Sequence, residues 1–394
     1  LLSIFLVVFI DLLGFSLILP LLPYYAESFG ASGLVVGLLV AVYAAAQMIS
    51  APLLGRLSDQ YGRRPVLLIS IAGNVIGFLL LAAANSLWML FLARLLAGFT
   101  GGNISVAQAY ITDVTDDKNR ARGLGMIGAA FGLGFIIGPA VGGILSQFGF
   151  FVPALLAAGL GGVNLLLVWL WLPESMTAER RAQLANLPRP AFSLAALFQA
   201  LRRPKVGPLL HTRFFFGLAF SMFQGVFALY GLQRFNLDST NTGYILAYVG
   251  FLSALTQGVI VGQLTKRFSD RQIIFGSTAV MALGLLMWAF SPSVWFLLFD
   301  LIPIAVAGGT LNTILNSALT KTVTPVEIGG TLGLSSSVES LTRVISPSLG
   351  GLLLDTVNTS GPGIFSALLL VYLVWYIRRN IQPEAEAAAA SQAA

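Results

Sequence analysis

Cysteine is absent from the 394 residues and histidine occurs once, at His211. The first absence excludes disulfides and thiolate metal sites, and the second excludes a multi-histidine metal centre. Charge is scarce as well. Asp, Glu, Lys and Arg make up 10% of the chain, against about 25% in an ordinary soluble domain. A soluble fold of this length would need far more polar surface to cover its wetted exterior. Apolar residues are abundant: they make up 57% of the chain, beside 42 glycines, and the mean hydropathy is +0.86. The composition excludes a soluble enzyme, a nucleic-acid module and a disordered scaffold. It is that of an integral membrane protein whose main partner is the lipid bilayer.

A helix needs about 20 mostly apolar residues to cross the hydrocarbon. Such runs fall at 2–24, 33–54, 66–85, 88–111, 123–147 and 151–171, then at 207–231, 242–264, 272–291, 294–318, 328–354 and 362–379. Twelve spans in two sets of six predict an all-α membrane fold. The halves are 1–171 and 207–379, with a linker at 172–206 and a tail at 380–394. The chain opens on Leu1 without an initiator methionine, which reads as a trimmed chain. Its first run is too long for a signal-peptide core and reads as a retained span.

The net charge of +6 is topological. Arg56, Arg63, Arg64, Lys118, Arg120, Arg122, Lys266, Arg267, Arg271, Lys321, Arg378 and Arg379 all follow even-numbered spans, and further arginines fill the linker. The opposite face carries Arg234 as its clear basic residue. The positive-inside rule then places both termini and the linker in the cytoplasm. Phe192, Leu194, Leu197, Phe198 and Leu201 in the linker suit either a surface amphipathic helix or a flexible tether. The Ala-rich tail from Pro383 reads as disordered.

The halves repeat one another. Aligning Pro139 with Pro347 also aligns Leu124 with Leu332, Gly125 with Gly333, and Gly142-Gly143 with Gly350-Gly351. Gly55-Arg-Leu-Ser-Asp59 likewise matches Gly262-Gln-Leu-Thr-Lys266. Two parallel repeats imply an axis along the membrane normal and a binding site between the halves, as in alternating-access transporters.

The loop after span 2 reads Gly55-Arg-Leu-Ser-Asp59-Gln-Tyr-Gly62-Arg63-Arg64-Pro65. Gly55 permits close contact at the span end, Gly62 a tight turn, and Pro65 the first turn of the next helix. Asp59 can neutralise Arg63 or sit at a helix N-terminus. This pattern resembles the signature loop of the major facilitator superfamily. Span 1 (Asp11-Leu-Leu-Gly14 … Pro20), span 4 (Arg94-Leu-Leu-Ala-Gly98-Phe-Thr-Gly101-Gly102-Asn103) and span 5 (Gly134 … Gly138-Pro139 … Gly142-Gly143) narrow the resemblance. It is to the drug:proton antiporter branch, tetracycline-resistance exporters in particular. The second half is more degenerate, with Lys266 in the place of Asp59. The resemblance implies a cytoplasmic gate at Asp59, Arg63 and Arg64 with Asp113 as a further partner, and a functional acid in span 1. The span 5 glycines also make a flat face for a neighbouring helix, a packing role that needs no coupling function.

Ionisable residues inside spans and away from helix ends are Asp11, Arg94, Asp300, Glu339 and Arg343. Each costs about 2.5–3.5 kcal/mol at mid-membrane and therefore pairs or lines a wet path. At about 1.5 Å per residue, Asp11 lies near mid-depth and Arg94 somewhat outward, close enough to pair if spans 1 and 4 adjoin. Asp300 and Arg343 fall at about one depth, with Glu339 a turn further in. Glu339 and Arg343, four apart, form either a self-neutralised pair or a titrating site. Asp11 is the first candidate proton carrier, followed by Glu339 and Asp300. Polar residues for a substrate cavity are Tyr43, Gln47, Asn103, Gln108, Gln224, Tyr230, Tyr248, Gln257, Asn312 and Asn316, each equally able to bond between helices.

These features predict a monomeric, multi-pass transporter of a bacterial inner membrane that exports small amphipathic organic compounds in exchange for protons. No cofactor is expected beyond the coupling proton, and no metal or nucleic acid. The rivals are a proton-coupled importer or organic-anion carrier, and a lipid translocase. A membrane-embedded enzyme would need clustered catalytic groups that the sequence does not offer.

Overall fold

The computed structural model describes residues 2–115, 117–176, 199–324 and 327–381, leaving aside the side chains of 117, 118, 120–122, 124, 328 and 329. Of the expected linker helix only the end at 199–202 lies among these residues, where the chain is helical; 192–198 and the tail from 382 lie outside them. The first half contains α1 (Leu2–Ile18), α2 (Leu22–Glu27), α3 (Gly33–Tyr61), α4 (Arg63–Ala82), α5 (Leu87–Thr100), α6 (Asn103–Val114), α7 (Asp117–Leu145) and α8 (Phe151–Trp171). The second contains α9 (Val206–Phe235), α10 (Ser239–Leu255), α11 (Val261–Arg267), α12 (Asp270–Phe290), α13 (Val294–Lys321), α14 (Ile328–Thr356) and α15 (Gly361–Asn380). Helix dominates the described residues, as the composition predicts.

Among the described residues, eleven stretches of helix are long and apolar enough to cross a membrane. The twelfth expected span, α14, has 29 residues. Its Ser335, Ser336, Ser337, Glu339, Ser340 and Arg343 dilute its apolar character.

Three spans that read as uninterrupted are broken. Span 1 divides at residues 19–21, where Pro20 lacks the N–H that would continue the ladder. Span 4 divides at Gly101-Gly102, between α5 and α6. Between α10 and α11 the turn over Thr256–Ile260 widens to a π-helix, a local irregularity frequent at functional positions.

Contacts gather the chain into two compact units. One holds Leu1–Arg189 with Ala228–Phe251, the other Pro190–Phe227 with Leu252–Ala394. In the first, α1 packs on α7 and α8, while α5 packs on α3 and α4. Ile4, Val7, Leu12, Leu67, Ile71, Val106 and Ile111 form its core. In the second, α12 packs on α13 and α15.

The α1–α7 contact depends on absent side chains. A Cβ at Gly134 would lie 3.4 Å from Leu12, one at Gly138 would collide with Ser16, and one at Gly142 with the Leu17 carbonyl. Ser16 Oγ uses this proximity to donate to the Gly134 carbonyl at 2.8 Å. Gly143 lies on another face of α7, where a Cβ would come within 3.0 Å of Thr240. Gly138→Val forces these backbones apart. An overpacked site costs about 1–3 kcal/mol, so the melting temperature in detergent should fall by several degrees. A melting temperature equal to that of the parent would remove the packing role.

Candidate functional site

The signature loop builds a dense polar cluster within the first unit. Gly62 joins α3 to α4 at φ +106°, a region that L side chains avoid. A side chain there would also strike the Glu174 carboxylate. That carboxylate accepts from the backbone N–H of Arg63 at 2.9 Å and of Arg64 at 3.2 Å. It thus caps the N-terminus of α4, where orphan donors and the helix dipole favour an anion.

Arg63 is buried and placed as a fork. Its Nη1 is 2.7 Å from Asp59 and donates to Ser58 Oγ at 2.6 Å, while its Nε reaches Asp113 at 2.9 Å. Ser175 Oγ donates to the same Asp113 oxygen at 3.2 Å. Arg64 turns the other way and donates to the carbonyls of Val168 and Trp169. Gly55 differs from its expected role: no described atom of another element lies within 4 Å of the position a Cβ would occupy, so no close helix approach depends on it.

Asp11 lies on α1 beside a small cavity lined by Val7, Val8, Leu67, Asn103, Ile104 and Ala107. Asn74 Nδ2 donates to its Oδ1 at 3.3 Å, and the Asn103 side chain is a second partner. The ion pair expected with Arg94 is not formed. Arg94 is only 2% exposed, and its guanidinium carbon stands 4.1 Å from the Tyr43 ring centroid. A cation over an aromatic face gains part of what a carboxylate would give, and the Asp11 oxygens are taken by amides instead. Arg94 Nε and Nη2 have no hydrogen-bond partner among the described residues. Gln47 closes the group, with Nε2 at 2.8 Å from the Gly101 carbonyl and 3.3 Å from Tyr43 Oη.

In the second unit Glu339 holds two arginines rather than one. Arg343 Nη2 is 2.6 Å from its Oε1, and Arg213 of α9 binds its Oε2. Arg213 Nη1 also donates to Asn312 Oδ1 at 2.7 Å. The Arg213 side chain is 4% exposed and that of Arg343 55%. Asp300 stands elsewhere, about two turns from the start of α13 at Val294, and accepts from Ser291. Arg343 is about three and a half turns from Thr356 at the end of α14. The two residues therefore do not share a level measured along their helices. Toward the helix ends Arg203 meets Glu327 at 2.8 Å. Its hydrogen bond and those from Thr324 hold that exposed carboxyl below the usual range.

The cavity candidates scatter. Tyr43, Gln47 and Asn103 gather near Arg94 and Asp11, and Asn312 joins Arg213. Tyr230 is fully buried with its ring edge-on to Phe235, a core position. Gln108, Gln224 and Gln257 are exposed, while Tyr248 and Asn316 are half-buried. His211 stacks on Tyr376 at 4.0 Å and meets Tyr372 Oη at 3.1 Å. No His, Asp and Glu cluster fit for a metal occurs among the described residues.

Sequence reasoning missed Arg213, Asn74 and Glu174. Arg213 lies near the predicted start of span 7 and Glu174 just beyond the predicted end of span 6, positions where a charge is unremarkable. Asn74 is one amide in an apolar run, a signal that could have placed it beside Asp11.

A set of long apolar helices with charged residues held among them defines a polytopic membrane protein. The family model described as Major Facilitator Superfamily matches residues 4–267 and 214–393, and the chain belongs to that superfamily. It is similar to the class C tetracycline resistance protein of Escherichia coli, with 36% identity over 342 residues, covering 86% of this chain and 85% of the relative. Its identity to the class H tetracycline resistance protein of Pasteurella multocida is 34% over 349 residues, covering 88% and 86%. Human solute carrier family 67 member A1 is 31% identical over 343 residues, covering 84% and 81%. Among solved structures, a bacterial homolog of the human lysosomal transporter Spinster, inward-facing and occupied, superposes with TM-score 0.79 at 14% identity, covering 95% of both chains. This likeness concerns the fold. The chain is a multi-pass membrane transporter of small molecules and not an enzyme.

Proposed function

We propose that this transporter exports small amphipathic organic compounds in exchange for protons, by alternating access, acting as a monomer with both termini in the cytoplasm. The halves 1–171 and 207–379 are its moving bodies. The observation that carries the reading is the setting of Asp11. Its partners are neutral amides, so it can gain and lose a proton without breaking an ion pair. Glu339 would have to give up two arginines, and a nearby cation opposes protonation. Relatives named for tetracycline resistance support a drug-like substrate and a bacterial inner membrane.

A second reading is an organic-anion carrier. Nε and Nη2 of buried Arg94, which have no hydrogen-bond partner among the described residues, favour it, since a guanidinium fork suits a carboxylate. Uptake of a panel of neutral, zwitterionic and anionic compounds into everted vesicles tests both. Antiport predicts accumulation that an imposed proton gradient drives and a protonophore collapses. Equilibration indifferent to the gradient would overturn it.

The Arg63 cluster serves in this reading as a conformational gate. Asp59→Asn leaves part of the guanidinium uncompensated and shifts the balance of states. Turnover should slow several-fold, and a cysteine at the inner end of span 4 or 5 should change its reactivity to an impermeant thiol reagent. Lys at position 63 should not restore function, because one ammonium cannot replace the fork. Unaltered labelling with parent-level transport would reduce the loop to a topology signal.

A further inference from the structure

We propose that Asn74 and Thr100 form a hydrogen-bond switch that reads the charge of Asp11 and relays it to the break in span 4. The inference rests on the reading of Asp11 as the proton site. Asn74 Nδ2 donates to Asp11 at 3.3 Å, while its Oδ1 accepts from the Thr100 hydroxyl at 2.8 Å. Thr100 Oγ1 also lies 3.0 Å from the Leu96 carbonyl, a second acceptor for its single proton. Gly73 makes room for the contact, since a methyl there would collide with the Thr100 side chain. Thr100 ends α5 and Asn103, the other Asp11 partner, begins α6. The two residues that sense Asp11 from span 4 therefore flank Gly101-Gly102.

An ionised carboxylate only accepts, whereas the protonated acid donates from one oxygen. With Asp11 ionised, the Asn74 amide presents N–H to it and its carbonyl takes the Thr100 proton. After one proton binds the carboxylate, the amide turns over. Its Oδ1 then accepts from the acid, its Nδ2 donates to Thr100 Oγ1, and the hydroxyl proton swings to Leu96. Beyond the proton that arrives, only torsions change. Each polar atom keeps a partner in both states, which avoids the penalty of an unmade buried hydrogen bond.

The charges around Asp11 leave this relay local. Arg94 on α5 is stacked on Tyr43. The charged residues of α4, α6 and α7 lie toward helix ends, at Arg63, Arg64, Asp113 and the first turns of α7, and α8 has none.

Infrared pH titration of the full chain in liposomes needs no substrate and reads Asp11 directly, its acid carbonyl band being identified by loss in Asp11→Asn. Asn74→Leu removes a donor to the anion and should move the midpoint to higher pH by about one to two units. Thr100→Val, nearly isosteric, frees the amide to turn and should move it the same way by less. Thr100→Ser should return the parent midpoint. A titrating band with the parent midpoint in both Asn74→Leu and Thr100→Val overturns the switch. Should Asn74→Leu fail to fold, Thr100→Val against Thr100→Ser decides alone. If Asp11→Asn instead leaves gradient-driven transport intact, the proton-carrier reading fails while the infrared shifts stand.

Discussion

Asp11→Asn should abolish gradient-driven accumulation while leaving a folded protein that still exchanges substrate across a membrane without a pH difference. Asn is nearly isosteric with Asp, fits the amide setting of Asn74 and Asn103, and leaves no buried cation stranded, because Arg94 is not its partner. The packing of α1 on α7 and α8 is untouched. What disappears is a group that can be charged in one state and neutral in the other. In proteoliposomes, pH-driven uptake should fall to that of protein-free vesicles while equilibrium counterflow persists. Unchanged proton flux would move the coupling role to Glu339 or Asp300.

Arg213→Gln should be the most destabilising change in the second unit, far exceeding Arg343→Ala. Both cations bind Glu339, but only Arg213 is buried, and it also orders Asn312. Removing one partner of a buried pair costs about 3–5 kcal/mol. Glu339 keeps Arg343 and is 29% exposed, so the low end applies, about 3 kcal/mol. Losing the exposed Arg343 contact should cost about 1 kcal/mol or less. Melting temperatures in detergent check the order. A larger loss for Arg343→Ala would mean that the exposed arginine carries the pair.

The site was legible to different degrees. Asp11 and Glu339 stood out because charge inside an apolar run is rare enough to be conspicuous, whereas Asp59 and Arg63 were marked by their loop motif and Asp113 by the resemblance that motif carries. Their partners were less readable. Glu339 with Arg343 follows from helical spacing, whereas Arg213 reaches the same carboxylate from another helix. Arg94 was matched to Asp11 because opposite charges in adjacent spans suggest a pair. Neutral side chains, Tyr43 for the cation and two amides for the carboxylate, satisfied both instead.

The sequence by itself determined that this is a helical membrane protein, and the positions of nearly all its spans. Hydrophobic length is a one-dimensional property that the bilayer imposes on each segment separately. It also determined the repeat and the turn at Gly62, since local backbone chemistry is carried by adjacent residues. Tertiary structure decided where spans break into α1 and α2 or α5 and α6, which glycines of α7 meet α1, and which neighbours each buried charge receives. Those outcomes depend on side chains brought together from distant helices, where the low dielectric makes every unmet partner costly and a neutral amide or an aromatic face can replace a counter-charge.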